Sequence, residues 1–144
     1  MARHTGKGLV VMVENSAATE VALSMVVSAN TPDQHFQSVK FTGDDVESSG
    51  AGQQIGFVDV EFEYDDTATT GNHAVLAGIQ GDNSNARFIR VRPAGTGTGK
   101  LEYALDGVCF GPSYTIAKDG KVMGKVRFEL HHNASADPAW VTQS

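Results

Sequence analysis

Over residues 57–66 apolar and acidic side chains alternate. Val58, Val60, Phe62 and Tyr64 fall on one side of an extended chain, and Asp59, Glu61, Glu63 and Asp65 on the other. Successive side chains of a strand point to opposite faces, so a period of two predicts a half-buried β-strand, apolar inward and anionic outward. The pattern returns near the C-terminus, where Val122, Val126, Phe128 and Leu130 oppose Lys121, Lys125, Arg127 and Glu129. Asp119-Gly120, between Tyr114–Lys118 and Lys121–Leu130, predicts a two-residue hairpin loop, because that pair tolerates positive φ at both positions.

Elsewhere the strands are shorter. Gly8–Glu14, Val21–Ser28, Phe36–Thr42 and Ala86–Arg92 are bounded by polar turns or proline. Leu101, Tyr103 and Leu105 alternate with Glu102, Ala104 and Asp106; Asp106-Gly107 reads either as a turn or as a bulge in one long bent strand. Thr69–Ile79 is the helix candidate, with an apolar stripe of Val75, Leu76 and Ile79, a cap from Thr70 or Asn72, and Gly81 as its end. Gly43–Gly56 has no apolar periodicity and is expected to be a long mobile loop. The arm Met1–Gly8 and the tail Asn133–Ser144 are expected to be flexible. These elements predict one domain over 1–144, all-β with one short helix, as a β-sandwich or barrel-like fold.

Composition agrees. The 144 residues are 40% hydrophobic and 19% charged, which suits a globular chain, and the 16 glycines suit many turns. No run approaches the ~18 apolar residues of a membrane helix, so no membrane partner is expected. The opening residues lack the apolar core of a signal peptide. One cysteine, Cys109, allows no internal disulfide and fits assembly in a reducing cytoplasm.

Charge changes the picture more. Residues 1–86 carry 12 acids and 3 bases, a balance of −9; residues 87–144 carry 5 acids and 8 bases, a balance of +3. Asp44–Asp66 holds eight carboxylates and no lysine or arginine, while Arg87, Arg90, Arg92 and Lys100 follow with no acid among them. Complementary halves favour head-to-tail attraction between copies; the plainer reading is a set of solvated faces.

Candidate chemistry is sparse. His4, His35, His73, His131 and His132 lack metal-ligand spacing, and adjacent strand histidines point to opposite faces, so they are expected at the surface. Cys109 lies between Val108 and Phe110 without a nucleophile signature. The acids of residues 57–66 lack the asymmetry that glycosidase carboxylates need, and Asp44, Asp45 and Glu47 lack the spacing of a calcium loop. No catalytic residue, metal or cofactor is expected, and the chain is not read as an enzyme.

The order of features resembles a known family. An acidic strand ending in Tyr-Asp-Asp-Thr (Tyr64–Thr67) is followed by a helix with Ala-Val-Leu-Ala (Ala74–Ala77). Then come a strand with proline and a glycine-rich turn (Arg87–Gly99), Tyr-x-x-x-Gly (Tyr103–Gly107) and a final hairpin. This is similar to the tail tube, or major tail, protein of long-tailed bacteriophages, over about residues 55–132. The glutamine- and glycine-rich approach Gly50–Gly56 departs from it. The resemblance implies a β-sandwich with a flanking helix, six copies forming a ring, and four strands per copy joining one inner barrel. Stacked rings would carry double-stranded DNA, with a tape-measure protein in the lumen and other tail proteins at the tube ends. It also implies a virion component assembled in the host cytoplasm. Twenty-four strands at ~4.8 Å give a circumference of roughly 115 Å and a backbone diameter of ~37 Å, wide enough for a duplex.

Two placements of Asp59, Glu61, Glu63 and Asp65 then stand open. Lining the lumen, they would repel phosphates over a Debye length of ~8 Å and let DNA slide. On the outer or ring-to-ring surface, they would meet Arg87, Arg90, Arg92, Lys121, Lys125 or Arg127 of another copy. Asp44, Asp45 and Glu47, in the long loop, are candidates for reaching the next ring. Trp140 is a candidate interface anchor unless it folds back on its own subunit. Other readings are a tail terminator, a head-decoration protein, or a β-sandwich module binding a receptor or carbohydrate.

Overall fold

The computed structural model describes residues 5–32, 36–42, 47–54 and 56–144, with 36–54 described as backbone. Among the described residues a 3₁₀ turn, Gly6–Gly8, leads into eleven strands and one helix. The strands are β1 (Val10–Glu14), β2 (Glu20–Ala22), β3 (Val26–Asn30), β4 (Phe36–Thr42), β5 (Glu47–Gln54), β6 (Phe57–Glu63), β7 (Arg87–Arg92), β8 (Leu101–Cys109), β9 (Ser113–Ile116), β10 (Val122–Leu130) and β11 (Ala139–Thr142); the helix is α1 (Asn72–Ile79).

All strand pairings are antiparallel. The main sheet runs β2-β1-β7-β8-β10-β6-β3, with β11 beside β8 and β9 beside β10; β4 and β5 form a separate hairpin. Two long strands carry the bend. β8 pairs with β11 through residues 101–104 and with β10 through 107–109, while β10 pairs with β9 through 122–125 and with β8 through 128–130. Asp106-Gly107 is therefore the point inside one continuous strand where β8 changes partner, not a turn. The sheet does not close into a barrel.

The apolar faces meet in one core. Val11 and Val13 of β1, Ile89 and Val91 of β7, Tyr103 and Leu105 of β8, Val58, Val60 and Phe62 of β6, and Val126 and Phe128 of β10 are all buried. Val75, Leu76 and Ile79 of α1 close it, the stripe the sequence predicts. Each such side chain contributes about 1.5–3 kcal/mol by leaving water. Gly124 lies opposite Phe62, and a Cβ there would stand 2.5 Å from the Phe62 ring and 2.9 Å from Tyr114. Only glycine lets those rings meet edge to face, at 6.0 Å between centroids.

Several expectations are corrected. The stretch Gly43–Gly56, expected as a mobile loop, contains strand β5, paired with β4 from Thr42↔Glu47 to Phe36↔Gln54. Backbone pairing needs no apolar alternation, so the pattern was silent there. The predicted strand Val21–Ser28 divides into β2 and β3, because Met25 takes a left-handed conformation, φ 54°, and sends the chain to a different neighbour. The hairpin between β9 and β10 exists, but Ile116↔Val122 is its last pair, so its loop is 117–121. Gly120 does not adopt positive φ there, and its N–H reaches back to the Ala117 carbonyl at 3.3 Å. In the tail, β11 pairs along β8 and Gln143 bonds to Gly95 and Gly97.

Candidate functional site: a charged sheet face with two open edges

The acidic strand sits second from the edge of a four-stranded stretch, β3-β6-β10-β9. One face is sealed into the core; the other carries the charges. Asp59 stands opposite Arg127, and Glu61 opposite Lys125. Arg127 pairs with Asp59 at 3.5 Å and Glu129 at 3.7 Å, and stacks over the Phe57 ring at 4.3 Å. Lys121 reaches Glu63 at 2.8 Å, and this bond raises the lysine's pKa. On the β3 side Ser28 and Asn30 lie opposite Glu61 and Asp59. An open groove of 370 Å³ runs over this face, with Asn30, Asp59, Glu61, Phe110, Lys125 and Arg127 among its lining residues.

The face is therefore not wholly anionic. The sequence places its cations far along the chain from its acids, 58 residues apart for Glu63 and Lys121, and only strand pairing brings Lys121, Lys125 and Arg127 of the same copy beside them.

Asp65 and Tyr64 leave the pattern. β6 ends at Glu63, so Asp65 lies in the connection to α1. Its carboxylate accepts hydrogen bonds from Ser24 Oγ at 2.6 Å and from Thr67 Oγ1 and N at 2.6 and 3.0 Å; the Ser24 bond first, then Thr67, lowers its pKa. Tyr64, expected inside, is exposed and packs edge to face on Tyr114 and His73, at 5.3 and 5.7 Å. Asn72 does not cap α1, whose cap position is Gly71. It is fully buried, donating to the carbonyls of Ser24 and Glu63 and accepting from Asp65 N–H. That clip ties the helix start to the end of β6 and to the turn before β3.

The arginines of β7 serve the subunit itself. Arg87 bonds Asp82 at 2.7 Å and Glu14 at 3.4 Å; Arg90 lies 3.7 Å from Asp106; Arg92 bonds Glu102 at 2.8 Å and Glu20 at 3.4 Å. Arg87's hydrogen bond, helped by Ser84 N–H, holds Asp82 at a pKa of about 2. Each of these arginines, expected as a candidate for meeting acids of another copy, has an acidic partner within the fold. Trp140 also turns inward: it pairs with Tyr103 in the β8–β11 ladder, rings 5.4 Å apart, beside a phenol that burial pushes up to about 12. Asp44 and Asp45 lie outside the described residues, as do His4 and His35, and Glu47 opens β5.

Two histidines depart from the surface reading. His131 is only 2% exposed, its Nδ1 accepting from Asn133 N–H at 2.9 Å, and it stacks on His132 because both lie just past the end of β10. His73 Nδ1 is 2.6 Å from the Tyr114 hydroxyl. Cys109 is buried, which raises its thiol pKa. Among the described residues no group of three or more acids, histidines or cysteines could hold a metal. None of the described helices is long and apolar enough to cross a membrane.

No protein-family model and no curated protein matches the chain. Solved structures do. A chain from the tail of an empty GTA particle, determined by helical refinement with C6 symmetry, superposes with a TM-score of 0.66 at 11% identity, covering 99% of this chain and 100% of that one. A chain from the virion of a native gene transfer agent particle gives 0.67 at 10% identity, covering 99% and 100%. A chain from the sheath–tube complex of an extracellular contractile injection system, PVC, in the extended state gives 0.62 at 10%, covering 99% and 92%. The chain thus shares its fold, mainly antiparallel β with one short helix, with subunits of tail and injection-system particles.

Proposed function

We propose that this chain is a structural, non-enzymatic tail-tube subunit, six copies of which form a ring that stacks into a conduit for double-stranded DNA. The observation that carries the reading is the four-stranded stretch β3-β6-β10-β9. Among the described residues its two outer strands pair on one side only, and they run in opposite directions, since three antiparallel steps separate them. The β9 edge of one copy can therefore add antiparallel to the β3 edge of the next, and repetition closes a barrel without unpaired edges. The likeness to a tail determined with C6 symmetry supports six copies.

In that ring the core-facing side of the sheet is already occupied, so the charged face looks into the lumen. Asp59, Glu61 and Glu63 line it, without Asp65. They share it with Lys121, Lys125, Arg127 and Glu129, so four acids meet three bases. Free lysines and arginines would hold phosphates through counterion release. Here Arg127 and Lys121 are already engaged by carboxylates, and Lys125 stands opposite one. A duplex moving through finds little to grip. A tape-measure protein would occupy the same lumen before DNA, and other tail proteins would close the tube ends in the virion.

Electron microscopy of the purified protein at high concentration tests the reading. Hollow tubes of regularly stacked rings are expected; monomers under all conditions would overturn it. For the lumen, joint Asp59→Lys, Glu61→Lys and Glu63→Lys replacement should leave tubes intact but make them retain duplex DNA in a salt-dependent way. Loss of ring assembly would move that face to an interface instead.

A further inference from the structure

The backbone groups that the two open edges present follow from the hydrogen bonds inside the sheet. Tyr64 N–H donates to the Val122 carbonyl at 2.9 Å, Phe110 N–H to the Arg127 carbonyl at 3.0 Å, and Glu63 N–H to the Met25 carbonyl at 3.0 Å. Bonding direction alternates along an antiparallel strand, so even-numbered residues of β10 bond to β6 and odd-numbered ones to β8 and β9. On β9, Ser113 and Thr115 therefore bond back to Lys125 and Met123, which turns the N–H and C=O of Tyr114 and Ile116 toward the open edge. On β3, Ser28 and Asn30 bond to Glu61 and Asp59, which turns those of Ala29 toward the opposite open edge.

Side chains alternate with the same phase. Ser113, Lys125, Glu61 and Ser28 form one row across the charged face; Asn30 shares that face through Asp59, and Thr115 through Met123 and Glu63. These four edge residues bring hydroxyls and an amide to it, and neither edge strand contains a charge. Exposed edges of a free-standing sheet are normally guarded by lysine, proline or inward charge. Ala29 and Tyr114, whose backbone groups point outward, both lie on the core side, in the rows of Val60 and Phe62. Joining the two edges therefore keeps each face continuous from copy to copy.

We infer that β9 of one copy joins β3 of the next in a single register, with Tyr114 hydrogen-bonded to Ala29, Thr115 beside Ser28 and Ser113 beside Asn30. This seam rests on the conduit reading and assigns its lateral contact. A one-residue slip would set the charged side against the core side. A two-residue slip one way sets Ala29 against Pro112, which has no N–H to give. The same slip the other way sets Tyr114 against Thr31, beyond the end of β3 at Asn30. The register between them lays all of β9 along residues 27–30. Its lumen side is uncharged: hydroxyls and an amide meet across the joint, no acid repels the next copy, and no lysine or arginine is offered to phosphates.

Cysteine pairs in the full chain read the register directly, the native Cys109 being buried. Opposed residues that share no backbone bonds stand about 4.5 Å apart at Cα, within disulfide reach, whereas diagonal neighbours stand about 7–8 Å apart. Ser28→Cys with Thr115→Cys, and Asn30→Cys with Ser113→Cys, should each give tubes that yield a ladder of cross-linked oligomers on oxidation. Ser28→Cys with Ser113→Cys, Asn30→Cys with Thr115→Cys, and each single cysteine should not. A ladder from a mismatched pair in place of the matched ones would overturn the register. Ala29→Pro removes an N–H turned to the open edge, so it should raise the concentration needed for tube formation about tenfold or more while the monomer's unfolding temperature stays unchanged. Tubes that form as readily with Ala29→Pro, or that give no ladder from either matched pair, would overturn the seam while leaving the conduit standing. Wild-type chain that never forms tubes would overturn the conduit and the seam with it.

Discussion

The molecule contains two sets of acid–base pairs, and they do opposite things. Along β7 and β8 the charges are enclosed: Arg92 and Glu102 keep 14% and 12% of their side-chain surface and bond at 2.8 Å. Along β6 and β10 they are open: Arg127 and Asp59 keep 46% and 39% and stand 3.5 Å apart. Enclosed pairs hold the fold, because removing one partner strands a desolvated charge. Open pairs contribute little to stability, because water and salt already screen their charges.

The comparison breaks most visibly if the enclosed side is cut. Arg92→Met leaves Glu102 without its guanidinium and should cost about 3 kcal/mol by denaturant unfolding. Equal stability of the variant and the natural chain would remove the distinction. Gly124→Ala pushes a methyl group against Phe62 and Tyr114 behind the open face, and should cost about 2 kcal/mol. That loss shows that the open sheet is held from its core side.

Acid gives a smaller, directional effect. Asp82 sits at about 2 against an ordinary 3.8, so its pairing with Arg87 stabilises the fold above the ordinary value and is lost as pH falls through about 2. Stability measured between pH 5 and 2 should fall less steeply in Asp82→Asn than in the natural chain. Smallest of all, Arg127→Ala on the open face should change stability by less than ~1 kcal/mol while leaving Asp59 free. A larger loss would mean that the open ladder is structural after all.

Legibility followed the source of each signal. Val58, Val60 and Phe62, Val126 and Phe128, and Val75, Leu76 and Ile79 were readable because burial on one face of a strand or helix writes itself as a local period. β5 was not, since Glu47–Gln54 is held by backbone ladder bonds, which any residues can make. Tyr64 and Asp65 looked like two more steps of the acidic strand. Their real role depends on Ser24, Asn72, His73 and Tyr114, and no local pattern reports those contacts. His131 was misplaced for the same reason, being buried just past a strand end, and only the pairing of β11 with β8 decided that the half-buried Trp140 packs on Tyr103 of its own chain.

By itself, then, the sequence determined that Asp59, Glu61 and Glu63 share a face, because strand geometry alternates side chains whatever surrounds them. Only the tertiary structure decided what that face is. Pairing β6 with β10 set three cations beside three acids, and folding the opposite face into the core left the charged one looking outward, between two strands that pair on one side only among the described residues.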